Sequence, residues 1–149
     1  MSKLADEPSA FAVMFALQLN EWFACSDPSD ERSARRTALE TARRRPQEAA
    51  LFALEGKGII DVRLLAASVV TEVHFENLQR GQRALSNVFT KMVRHSDAMI
   101  REGVVYGLGR VDGRIVEPTL KIFLSDADTL VREAAEDELE RRKALETSP

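Results

Sequence analysis

The chain has 149 residues, of which 44% are hydrophobic and 30% are charged, and its formal net charge at pH 7 is -3. These values are typical of one folded domain with a continuous core. The negative net charge argues against a dedicated polyanion-binding protein. The single cysteine, Cys25, excludes an intrachain disulfide and fits a reducing compartment. We therefore expect one cytoplasmic domain over residues 1–149.

Helix-start and helix-stop signals divide the chain into eight predicted helices, and no alternating strand pattern competes with them. The first three predicted helices run from Ser9 to about Cys25, from a cap at Ser29 or Asp30 to Arg44, and from Pro46 to Gly56-Lys57-Gly58. The fourth begins at about Asp61, the fifth runs from about Asn77 to Arg94, and the sixth runs from Ser96-Asp97 to Gly109. The seventh begins at about Pro118, and the eighth runs from Ser125-Asp126 or Asp128 to about Thr147. Short connections favour antiparallel neighbours, which gives four hairpins at roughly 8–45, 46–75, 77–110 and 112–146.

The first predicted helix is apolar on almost all sides, and Phe11, Phe15 and Trp22 share one of them. These three side chains should either pack inside the chain as an end cap or form an interface with a partner or a second copy. In both cases we expect Phe15 and Trp22 to be buried.

The stretch Ala10–Leu17 follows acidic rather than basic residues, and it is too short to cross a bilayer. We expect neither a signal peptide nor membrane association.

An arginine stands near the start of every second predicted helix, and small or apolar residues predominate two, three, six and seven positions later. These arginines, which lie 31, 38 and 31 residues apart, are Arg32, Arg63, Arg101 and Arg132. A period in this range is the signature of a helical solenoid, in which stacked hairpins bury faces that one hairpin cannot. We expect the arginines to occupy equivalent places and to bind backbone carbonyls or the capping aspartates Asp27, Asp61, Asp97 and Asp126.

Residues 96–142 carry a more specific pattern. It runs through Asp97, Ile100-Arg101, Gly107-Leu108-Gly109, Val116-Glu117-Pro118, Asp126 and Val131-Arg132. This order resembles the HEAT-like repeats of the type found in phycobilin lyases. The resemblance implies an all-α fold, a right-handed α-solenoid of about four HEAT-like hairpins and about eight helices, with the arginine-bearing helices on the concave side. It covers about one third of the chain and is specific for the fold, not for lyase activity.

If these helices line a concave side, positions one, four, five and eight after each arginine point away from the core. The predicted groove then grades from basic, through small and apolar, to acidic residues. Its candidate partner-binding residues are Arg36, Leu64, Ala67, Glu102, Val105, Tyr106 and Glu136. An apolar centre with charged ends suits an amphipathic helix or peptide, with Tyr106 as the anchor. The alternative is tight curvature that buries the central residues against one another.

A basic stripe is predicted on the fifth helix, where Arg80, Arg83, Lys91 and Arg94 would fall within about 80° of arc. With the arginine-rich residues 32–45, this stripe is a candidate polyanion-binding surface. The favoured alternative for the stripe is a solvated helix face, and the favoured alternative for the other arginines is a salt-bridged terminal repeat. No aromatic residue interleaves the stripe, which disfavours binding of single-stranded nucleic acid.

The sequence shows no catalytic constellation, metal-ligand spacing or cofactor motif. Cys25 has no acid–base partner near it in sequence, and His74 and His95 suit helix ends. We therefore predict a non-catalytic protein-binding module, that is, a scaffold, an adaptor or an inhibitor or immunity-type partner. One alternative is a nucleic-acid-binding protein that resembles the HEAT-like alkylpurine DNA glycosylases in architecture, although their groove aspartate and aromatic residues have no counterpart that we can locate. The other is an accessory subunit of a lyase-type enzyme.

Overall fold

The computed structural model describes residues 9–55 and 60–147, and every regular element in these two ranges is helical. The described helices are α1 (Ala10–Ala24), α2 (Pro28–Arg44), α3 (Pro46–Glu55), α4 (Ile60–Gln79), α5 (Ser86–Val93), α6 (Ala98–Gly109), α7 (Glu117–Ile122) and α8 (Thr129–Thr147). Short 3-10 turns flank α7 on both sides. The prediction of an all-α fold is confirmed. Within the described ranges, no helix is both long and apolar enough to cross a membrane.

Short polar side chains start several helices, because they accept hydrogen bonds from otherwise unpaired N–H groups of the first turn. Ser9 caps α1, and Asp97 caps α6. The predicted cap of α2 is wrong, since Asp27 rather than Ser29 or Asp30 occupies that position and Pro28 follows it in the first turn. The predicted break at residues 56–58 and the side chain of Asp61 lie outside the described part of the chain.

The predicted start of the fifth helix is also wrong. α4 continues to Gln79, and a turn separates it from α5, which begins only at Ser86. Gly81 adopts a φ of 75°, and its N–H donates to the carbonyl of Leu78 at 3.0 Å. A left-handed glycine of this kind ends a helix. The apolar periodicity of residues 77–94 therefore runs across a turn.

Helices contact both their neighbours in sequence and the helices two places away. α2 contacts α4, α4 contacts α6, and α6 contacts α8, while α1 contacts α3 and α3 contacts α5. The most extensive of these contacts joins α4 to α6. It depends on Gly103 and Gly107, because a Cβ atom on either residue would collide with a carbonyl oxygen of α4, that of Leu64 or of Ser68. The two backbones therefore touch where side chains would ordinarily separate them.

Three of the four recurrent arginines play the same structural role. Nη2 of Arg63 donates to the carbonyls of residues 53 and 54, which end α3. Nη1 of Arg101 donates to the carbonyl of His95, and Nη1 of Arg132 donates to that of Asp126, both at 2.6 Å. Each arginine thus binds backbone that ends the preceding helix segment, as predicted. Arg32 is exposed, and its side chain forms no hydrogen bond to a described residue, so the prediction of four equivalent arginines is wrong for this one.

The apolar side of α1 packs inside the chain. Phe11, Phe15 and Trp22 are buried, and the ring of Phe15 meets that of Phe52 on α3 edge-on, with centroids 5.4 Å apart. The prediction that Phe15 and Trp22 are buried is confirmed, and these three side chains pack against the core of the same chain.

Candidate binding groove

The predicted apolar centre of the groove is part of the core. Leu64 is 8% exposed, Ala67 is 0% exposed and Val105 is 1% exposed. The cause is the glycine-mediated contact between α4 and α6, which draws these helices together and closes the surface between them. These three residues are therefore buried, as the alternative expected, and they do not offer the exposed apolar surface that a partner would contact.

Three cavities nevertheless follow one another across α2, α4, α6 and α8, with volumes of about 350, 500 and 370 Å³. The first and second share Glu31 and Arg110 in their walls. The second and third share Tyr106, Glu138 and Arg141. Because neighbouring cavities share wall residues, they lie side by side, and we call this row of adjoining cavities the groove.

The basic end of the groove is built mainly by α2. Arg35 and Arg43 form ion pairs with α4. Arg35 pairs with Glu72 at 2.6 Å, and Arg43 forms two hydrogen bonds with Glu76 at 2.8 and 2.6 Å. Burial raises the pKa of the Glu72 carboxyl and outweighs the opposing effect of Arg35. These pairs stabilise the contact between α2 and α4.

Three further arginines line the same cavity and are exposed, namely Arg32, Arg36 and Arg110. We call them the arginine cluster. Their side chains form no ion pair or hydrogen bond with the part of the chain that the structure describes. Glu31 and Glu40 also line this cavity and offset part of the positive charge. The basic end therefore holds guanidinium groups that are available to a ligand.

The centre of the groove contains Tyr106, which is 49% exposed. Trp22, Leu65 and Ser68 complete the wall around it. Burial raises the pKa of the Tyr106 hydroxyl, and the charge of Glu102 and a hydrogen bond to that carboxylate raise it further. The phenol is therefore a protonated hydrogen-bond donor whose ring remains half-open to solvent.

The opposite end of the groove is acidic. Glu102, Glu133, Asp137 and Glu138 line the third cavity. Glu138 accepts hydrogen bonds from Arg141 and Arg142, which neutralise it. Glu133 and Asp137 are exposed and form no ion pair among the described residues. The predicted residue Glu136 is exposed on α8 but lines none of the three cavities.

The predicted basic stripe is not a single stripe. Arg80 and Arg83 lie in the turn after α4, Lys91 lies on α5, and Arg94 follows the end of α5. All four side chains are exposed. The turn at Gly81 removes the helical register that would align them, so the prediction that all four lie in one stripe on one helix is wrong.

Of the predicted groove residues, Arg36, Glu102 and Tyr106 line the cavities, whereas Arg110 and Trp22 line them without having been predicted there. Arg110 stands nine positions after Arg101, one position beyond the helical window that we considered. Trp22 is a core residue whose edge also reaches the groove wall.

Comparison with family models, with curated proteins and with solved structures found no match. Among the described residues, no group of three or more histidine, cysteine or acidic side chains is placed to hold a metal ion. The groove is therefore interpreted from its own geometry and charge.

Proposed function

We propose that the protein is a non-catalytic protein-binding module that holds a segment of another protein in the groove. The observation that carries this proposal is the row of adjoining cavities, with unpaired arginines at one end, a half-exposed tyrosine in the middle and unpaired carboxylates at the other end. Surfaces of this composition bind a protein segment through an aromatic anchor and use the surrounding charges for orientation. A scaffold, an adaptor and an inhibitor or immunity-type partner all use such a surface.

The architecture that we propose for this module is a short HEAT-like solenoid of four hairpins. Two observations support it. Helices two places apart contact each other along the chain, from α2 to α4 to α6 to α8. Arg63, Arg101 and Arg132 each bind carbonyls that end the preceding helix segment. In such a stack, the helices that carry the arginines would form one layer, and that layer would carry the groove.

The anchor role of Tyr106 gives the first test. The partner would be captured from an extract of the source cells, purified, and titrated against the protein by calorimetry. We expect Tyr106→Ala to weaken binding by at least about 1 kcal/mol, as expected for loss of an interface anchor. Because Tyr106 is 49% exposed, the change should have little effect on folding.

Two exposed positions away from the groove provide controls for this test. Ile122→Ala removes a large side chain that is 62% exposed on α7, and Arg83→Ala removes a cation in the turn after α4. Both variants should bind the partner as the wild type does. If Arg83→Ala abolishes binding while Tyr106→Ala retains it, the partner binds the turn between α4 and α5 and the groove assignment is wrong.

Nucleic acid is the second candidate ligand, because the arginine cluster lies free in a cavity. The carboxylates at the other end of the groove oppose a ligand that is negative along its whole length. We expect duplex DNA to bind weakly in a filter-binding assay and to dissociate at moderate salt. A complex that survives physiological salt and is abolished by Arg83→Glu with Arg94→Glu would establish the nucleic-acid alternative.

A further inference from the structure

We propose that the groove binds its partner segment in one direction. Acidic residues of the segment contact the arginine cluster, an aromatic or aliphatic residue packs on Tyr106, and basic residues contact Glu133 and Asp137. This inference rests on the proposed function, and it adds the chemistry and the polarity of the ligand.

The arginine cluster supports the acidic end of this assignment. Arg32 and Arg36 lie one helical turn apart on α2, where like charges repel and mildly destabilise the helix. Arg110 adds a third guanidinium to the same cavity of about 350 Å³. Guanidinium groups form paired, charge-assisted hydrogen bonds with carboxylates, so an acidic side chain would bond to exposed donors of these three arginines that have no partner among the described residues.

The carboxylates at the acidic end of the groove favour a peptide over a polyanion as the ligand. Glu133 and Asp137 are exposed and unpaired among the described residues, and Glu102 lines the third cavity with them. A nucleic acid or polyphosphate that reached from the arginine cluster to α8 would meet these carboxylates and be repelled. A ligand that spans the groove must therefore change sign along its length, as a peptide does.

The span of the groove sets the spacing of the two charged blocks. Packed helices are ordinarily separated by 8–10 Å, and the glycine contact shortens the middle step, so three steps from α2 to α8 cover at most roughly 24–30 Å. An extended peptide rises about 3.3 Å per residue and would cover this distance with about eight residues. A helical segment rises about 1.5 Å per residue and would need about eighteen.

The test selects ligands from a display library of random 20-residue peptides at physiological salt. We expect the enriched peptides to carry an acidic block and a basic block on either side of an aromatic or aliphatic residue. Trp22 is the only tryptophan and lies in the groove wall. Affinities of synthesised, tryptophan-free peptides can therefore be measured by its fluorescence. Arg32→Glu with Arg36→Glu should weaken binding by at least about tenfold through charge reversal.

Matched controls separate this inference from the proposed function. Arg80→Glu with Arg83→Glu makes the same charge change at two exposed positions outside the groove and should leave affinity unchanged. A peptide with its acidic and basic blocks exchanged should bind at least about tenfold more weakly, because both ends then meet like charge. Thermal melts of both double variants check that they remain folded.

The outcomes are distinct. If the selected peptides require Tyr106 but tolerate both the arginine reversal and the exchange of blocks, the groove stands and its polarity is wrong. If neither Tyr106→Ala nor the arginine reversal affects any selected peptide, the proposed function is wrong as well. If a single-stranded oligonucleotide displaces the peptides with equal affinity at physiological salt, the sign change along the ligand is not required and the inference is overturned.

Discussion

Replacing Arg101 with alanine should lower the free energy of unfolding by about 3 kcal/mol, at the lower end of the range for breaking a buried ion pair. Nε and Nη2 of Arg101 donate to the carboxylate of Asp126 at 2.9 and 3.0 Å, and Nη1 donates to the carbonyl of His95 at 2.6 Å. Both charged side chains are largely removed from solvent. The substitution would leave the Asp126 carboxylate without its main partner and the carbonyl of His95 without a donor.

An exposed arginine provides the matched control for this prediction. Arg114 pairs with Glu146 at 3.4 Å, and the two side chains are 80% and 47% exposed. Arg114→Ala should cost between 0 and about 1 kcal/mol, as is usual for a surface pair. Urea unfolding at pH 7 measures both variants. Equal losses of stability would show that the link between Arg101 and Asp126 does not stabilise the fold.

The same ion pair predicts a pH dependence. Burial alone would raise the pKa of Asp126, but hydrogen bonds from Arg101 and from the backbone N–H of Asp128 lower it below its ordinary value. A carboxyl group whose pKa is lower in the folded state stabilises the protein above its unfolded pKa, and this stabilisation is lost as the pH falls through the folded pKa. The difference in stability between the wild type and Arg101→Ala should therefore shrink below about pH 4.

Gly107→Ala should lower the free energy of unfolding by about 1–3 kcal/mol, as is typical when a methyl group is forced into a packed interface. The added Cβ would lie 2.7 Å from Cβ of Thr71 and would also collide with the carbonyl oxygen of Ser68. These atoms belong to the backbone and to a short, buried side chain, so they cannot move aside cheaply. Alanine is the better helix former by about 1 kcal/mol, so a net loss of stability would show that the contact dominates.

Gly109 lies on the same helix and serves as the control. A Cβ atom there would meet only the carboxylate of Glu138, at 2.9 Å, which is the end of a flexible side chain. Gly109→Ala should therefore have a much smaller effect in the same unfolding experiment. If Gly107→Ala is as stable as Gly109→Ala, α4 and α6 can separate without cost and the buried centre of the predicted groove would need another explanation.

Local signals in the sequence predicted the helices well, because caps and turns act over a few residues. Ser9 and Asp97 start their helices as expected. The turn at Gly81 was missed because the apolar pattern continues through it, and an isolated glycine within a helical pattern is often tolerated.

The surface was harder to predict than the helices. A helical wheel assigns directions but assumes that neighbouring helices keep an ordinary separation. Gly103 and Gly107 shorten that separation on one side only, so Leu64 on α4 becomes buried while Tyr106, farther around α6, remains exposed. The arginine cluster involves residues 74 positions apart in sequence, Arg36 and Arg110, which no local pattern connects.

The helices that lie two places apart are joined by two kinds of contact, polar links and bare backbone contact, which respond differently to salt. Ion pairs join α2 to α4, and arginines near the end of α8 bind carbonyls of α6 and of the segment after it. Among the described residues, no ion pair joins α4 to α6, where the bare backbone of two glycines makes the contact. Dissolved salt weakens exposed charge pairs such as Arg43–Glu76 but leaves van der Waals contact unchanged. Rising ionic strength should therefore weaken the contact between α2 and α4 at the basic end of the groove, while the spacing of α4 and α6 at its centre stays constant.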